Sequence, residues 1–256
     1  SVLQDLYVTY QLKKSEKQSH AVDVGQYKVP FGYESLVPTS ALPLLEPALM
    51  YQVRDPIRGK YGDGRETGVQ LRGTQGRFDY RVGFFNGFGE RQNDLALSDT
   101  KAVIGRLGYR LTPALQIGIS GARGNTGINA SGARADRSLW NAYAVYKRDR
   151  FSLQGEYTVG DYTDPTPAVQ KVRSYYGSVG YHFTPKLEGV ARADFFDYRS
   201  LNAGITESSL GLNYYLKGNN AKIQLNLVKR NGDPVAPGTS FDNDATEVRT
   251  NFQVGF

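Results

Sequence analysis

The chain has 256 residues and a formal net charge of +6, with 31 Lys and Arg against 25 Asp and Glu, and it contains no cysteine. Mean hydropathy is −0.47, and the longest apolar stretch, around Ala41 to Met50, is broken by Pro43 and Pro47, so nothing approaches the roughly 20 residues of a membrane helix. A helical span is excluded, whereas a membrane β-barrel, in which every second residue can be polar, is not.

Taken in chain order, alternation of apolar and polar residues predicts thirteen strands. They lie near 3–13, 20–29, 66–73, 77–86, 100–111, 114–123, 138–147, 150–159, 171–183, 186–197, 207–216, 221–230 and 246–256. Short turns fall at Thr74-Gln75-Gly76, Thr112-Pro113, Lys147 to Arg150, Thr184-Pro185-Lys186 and Gly218-Asn219-Asn220. Longer polar segments occupy 87–99, 124–137, 160–170, 198–206 and 231–245. Tight turns at one end and long loops at the other are the asymmetry of outer-membrane barrels, with turns on the periplasmic side. The fold class expected is therefore all-β, a single transmembrane antiparallel β-barrel domain over 1–256, in the bacterial outer membrane.

Residues 30–65 are too many for an ordinary connection, and segments beyond about 15 residues without their own structure are usually functional. An apolar half, Ala41 to Met50, is joined to a basic half that carries Arg54, Arg58, Lys60 and Arg65. Folded into the barrel, this segment narrows the pore; otherwise it lies over the mouth or at a subunit contact.

Strand parity assigns the lumen. Arg72, Arg81, Arg106, Arg192 and Arg249 fall on polar faces opposite apolar neighbours, as do Lys222 and, at the end of its strand, Lys28. Lumen acids are expected at Asp5, Asp79, Glu156, Glu188, Asp194 and Glu247. An arginine against lipid at the midplane costs roughly 2–4 kcal/mol, which forces these residues inward. A surplus of positive charge concentrates anions, and arginine binds phosphate through two hydrogen bonds at once. The partners expected are small anions, the lipid bilayer and lipopolysaccharide, with no nucleic acid.

The final strand, Val248 to Phe256, alternates to its last residue, and a closing aromatic resembles the terminal signature of bacterial outer-membrane proteins. Thirteen is odd, while single-chain bacterial barrels close with even numbers. Tracing back from Phe256 puts Ser1 on the extracellular side, so an odd number of strands is expected to precede it, unless a strand is merged within Phe31 to Arg65.

The segment Gly25-Gln26-Tyr27-Lys28-Val29-Pro30-Phe31-Gly32-Tyr33-Glu34 resembles the G-Q-F-K-x-P-F-S-x-E stretch of the phosphate-selective porin O and P family. Arg65 to Gly73 and Tyr80 to Gly87 are similar to that family's R-x-x-G-V-x-L-x-G and G-V-F-N-G segments, in the same order. The resemblance implies a sixteen-stranded, usually trimeric porin for phosphate-like anions, with about three strands ahead of this chain. It implies no cofactor.

Enzyme chemistry finds little support. His20 and His182 are the only histidines and fall near the turn end on separate hairpins, and no Cys/His metal spacing occurs. The acidic runs Asp161 to Asp164 and Asp242 to Asp244 read as solvated loop acids.

Overall fold

A computed structural model describes residues 4–55, 59–60, 64–87, 101–128, 134–163, 169–233 and 244–255. Strands β1 (Leu6–Lys14) and β2 (Gln18–Lys28) precede a long connection. That connection holds two 3-10 turns, the single-turn helix α1 (Leu49–Gln52) and a hairpin of two-residue strands, β3 (Arg54–Asp55) and β4 (Gly59–Lys60). There follow β5 (Arg65–Gln75), β6 (Phe78–Phe85), β7 (Ala102–Arg110), β8 (Leu115–Ile128), β9 (Arg134–Arg148) and β10 (Phe151–Thr163). The chain continues through β11 (Val169–Thr184), β12 (Leu187–Tyr198), β13 (Ala203–Tyr215), β14 (Ala221–Gly232) and β15 (Ala245–Val254).

Apart from the small β3–β4 hairpin, the strands form one 13-stranded sheet in sequence order, with β1 and β15 at its edges and every neighbouring pair antiparallel. The thirteen strands expected from alternation are all present. The largest differences are at the long-loop ends, where β8 runs on to Ile128 and β9 already begins at Arg134. Backbone pairing continues there after the apolar alternation has stopped, so hydropathy misses it.

Gly76 and Gly218 take φ of 58° and 53° in the tight turns, a region glycine enters without steric cost. Asp149, at φ 53° between β9 and β10, is one of the few residue types that tolerates the same conformation.

Burial alternates in the opposite sense to a water-soluble protein. On β14, Ile223, Leu225 and Leu227 are each at least 45% exposed, while Lys222, Gln224 and Asn226 are at most 2% exposed. Phe78, Val82 and Phe84 on β6, and Val103 and Leu107 on β7, likewise face outward. Apolar groups in a continuous outer belt, with polar groups on the protected face, suit a hydrocarbon surround.

The sheet curls about residues 29–53. This one stretch bonds to Ser120 of β8, Glu156 of β10, Asp194 of β12, Asn213 of β13, Asn226 of β14 and Gln253 of β15, so these strands present their inner faces to a common centre. Phe31, Leu49, Met50, Tyr51 and Val53 of the stretch form a core with Phe85, Ile104, Leu139, Phe196 and Ile205 of the inner wall.

Candidate pore and its inserted segment

Residues 29–53 carry Pro30, Pro38, Pro43 and Pro47, which prevent a long helix or a ladder strand. Their backbone groups still require partners once removed from water. The inner wall supplies them. Gly32 N–H donates to Ser120 Oγ at 2.8 Å, and the Gly32 backbone, at φ 71°, leaves a would-be Cβ 1.9 Å from Tyr51 Oη. Only glycine fits. Tyr33 and Glu34 then donate their N–H groups to the Glu156 carboxylate at 2.9 and 2.8 Å. The same carboxylate accepts from Tyr51 Oη at 2.7 Å, Tyr176 Oη at 2.8 Å and Asn141 Nδ2 at 3.1 Å. Glu156 therefore joins the inbound limb of the segment to the returning helix α1.

Further along, Leu45 N–H donates to Asn226 Oδ1 at 2.8 Å, Ala48 N–H to Glu34 at 2.7 Å and Leu49 N–H to Asp194 at 2.7 Å. Carbonyls are met by cations and amides. Lys222 Nζ donates to Leu42 O at 2.7 Å and Asn213 Nδ2 to Pro43 O at 2.8 Å, and the Arg192 guanidinium reaches Glu46 O and Pro47 O at 3.1 and 3.2 Å. Behind these contacts runs a chain of ion pairs. Arg192 meets Glu207 at 3.1 Å, Arg230 meets Glu207 at 2.7 Å and Glu247 at 3.2 Å, and Arg249 meets Glu247 at 2.6 Å.

The other side of the wall is different. Register sets Arg72 of β5 directly opposite Arg81 of β6, and Arg81 directly opposite Arg106 of β7. Three guanidinium groups thus stand in a cross-strand row on the inner face. Arg72 is paired with Asp23 at 2.6 Å and Arg106 with Asp79 at 3.0 Å. Gln70 and Gln116 donate to those aspartates at 2.9 and 2.7 Å and hold them in place. Arg81 makes no hydrogen bond or ion pair among the described residues, so one charge of the row is uncompensated. The Arg106 guanidinium lies 4.9 Å from the Tyr143 ring centre and 5.9 Å from that of Tyr33, which brings the inserted segment up to the row.

The residues read from sequence divide accordingly. Arg72, Arg81 and Arg106 are brought together. Arg249 is inward and one-fifth exposed, on the far wall beside Glu247. Arg192 and Lys222 are inward but buried, and their donors meet backbone carbonyls of the segment. Lys28 donates to Ser35 O at 2.8 Å. Arg65 pairs with Asp5 at 2.9 Å, Arg54 and Lys60 sit in the β3–β4 hairpin, and Arg58 lies outside the described residues. Asp164 and Asp242 also lie outside them. His20 and His182 occupy separate hairpins, beside Tyr80 at 2.7 Å and Glu188 at 3.6 Å. Parity identified Glu156 as a wall acid without its role as a clamp. It gave no sign of Tyr33, Tyr143 or Asn213, whose parts depend on where the segment lands.

Residues 1–251 match the family model described as beta-barrel porin-2, OmpL-like. The chain belongs to that porin family. It is a β-barrel porin of the bacterial outer membrane. The match is to this family, and what it shares with the phosphate-selective O and P resemblance is the porin barrel. Among solved structures, the porin is similar to the anion-selective porin from Comamonas acidovorans, with a TM-score of 0.69 and 15% identity over 94% of this chain and 74% of that one. OmpT of Vibrio cholerae gives a TM-score of 0.66 and 12% identity over 95% and 77% of the two chains. An in-vitro-folded OmpT of the same organism, described as a trimer form, gives 0.60 and 12% over 91% and 72%. No curated protein sequence matches the chain. At such identities the structural likeness speaks for the fold.

Proposed function

We propose that this porin is a passive diffusion channel for small anions such as phosphate, with the row Arg72, Arg81 and Arg106 as its selective surface. The observation that carries this reading is the uncompensated guanidinium of Arg81 between two paired arginines. A row of this kind attracts anions, while the flanking carboxylates keep each site weak enough for release. Residues 29–53 cover the inner faces of β8 to β15 and confine the path to the side of the row, so they act as the constriction. In this scheme Arg192, Lys222 and Lys28 fasten the constriction, and Arg249 lines the far side. The anion-selective description of the Comamonas neighbour and the trimer form of OmpT support anion preference and a homotrimer in the lipopolysaccharide-containing membrane.

Purified porin in planar bilayers under a potassium chloride gradient tests the reading. The expected reversal potential is that of an anion-preferring pore, with current reduced by added phosphate and with the preference lowered at least twofold in Arg81→Gln. Cation preference in the unmodified porin sinks the proposal and leaves a general diffusion channel.

A further inference from the structure

Beneath the inserted segment, at the end of the barrel that carries the short turns, lies a chamber of about 780 Å³, within the size range of small-molecule sites. Its roof is apolar, made by Val37, Leu42 and Pro43 of the segment. Its rim is basic. Lys147 and Arg150 flank the β9–β10 turn, Lys186 sits in the β11–β12 turn, and all three are exposed with no ion pair among the described residues. The acids nearby are engaged: Glu188 accepts from Asn213 at 3.0 Å and Tyr215 at 2.5 Å, and Asp149 faces Arg148 at 3.6 Å. Tyr33 lines the chamber and its ring also stands 5.9 Å from the Arg106 guanidinium, so the chamber neighbours the arginine row.

We infer that this chamber is a binding site for small organic anions, namely monocarboxylates with an apolar body of several carbons, taken up after they pass the arginine row. The inference rests on the anion-channel reading. An inorganic anion gains only the rim charge, whereas an aliphatic carboxylate places its head among Lys147, Arg150 and Lys186 and its tail against Val37, Leu42 and Pro43. Removal of each methylene from water favours the longer chain.

The test is block of chloride current in planar bilayers by acetate and by hexanoate at fixed ionic strength. Hexanoate is expected to half-block at a concentration about tenfold below acetate. Combined Lys147→Gln, Arg150→Gln and Lys186→Gln, all at exposed positions, should raise the half-blocking concentration of hexanoate at least threefold. Val37→Asn should erase the difference between the two acids by weakening block by hexanoate. Equal block by both acids, or hexanoate block unaltered in the triple variant, overturns the chamber. Anion preference without chain-length discrimination removes this site alone, whereas cation preference removes the anion channel and the site with it.

Discussion

Glu156 and Arg81 are both charged residues on the inner wall, and their surroundings give them opposite parts. The Glu156 carboxylate, almost fully buried, is the common acceptor of five donors, two of them backbone N–H groups of the inserted segment. Glu156→Gln leaves one acceptor oxygen and turns an amide donor toward other donors. Loss of charge-assisted bonds of this kind costs about 2 kcal/mol. The expected result is a lower urea midpoint in vesicles, together with a larger and noisier single-channel conductance as residues 29–53 loosen. Arg81 has no hydrogen bond or ion pair to lose among the described residues. Arg81→Gln should leave the urea midpoint within about 0.5 kcal/mol of the original and alter selectivity alone. If Arg81→Gln destabilises as much as Glu156→Gln, the row is a structural element and its reading as a selective surface fails.

At the scale of elements, strands and segment differ in how much the sequence says about them. A strand such as β14 announces itself, because Ile223, Leu225 and Leu227 alternate with Lys222, Gln224 and Asn226 and the period alone fixes which face meets lipid. Leu225→Arg should therefore cost about 2–4 kcal/mol in folding into vesicles, while Asn219→Arg in the adjoining turn should cost almost nothing. Equal costs would mean that the outer belt is not in hydrocarbon. Residues 29–53 have no period to read. Their length and prolines mark them as unusual, but the bond from Lys222 to Leu42 spans 180 residues of sequence and depends on the curl of the whole sheet. For the same reason Arg192 and Arg81 look alike by parity. Each is a basic residue between apolar neighbours, and only the landing place of the segment separates an anchor from a cation with no hydrogen bond or ion pair among the described residues.

For the whole molecule, the decisive property is the distribution of charge around the wall, which net charge does not describe. On β12 to β15, Arg192, Arg230 and Arg249 are answered by Glu207, Glu247 and Asp194, and the segment covers much of that surface. On β5 to β7 the row of Arg72, Arg81 and Arg106 is answered, among the described residues, by Asp23 and Asp79. On the proposed reading, the field across the path comes from this small local surplus of positive charge. Such a field reaches about 10 Å in 0.1 M salt and about 3 Å in 1 M salt. Anion preference should accordingly be strongest near 0.1 M potassium chloride and fall toward parity near 1 M, and in Arg81→Gln the dependence on salt should flatten. Reversal potentials over that range measure both curves. A preference that stays constant with salt would place its origin in a tight, dehydrated contact and would remove the arginine row as its cause.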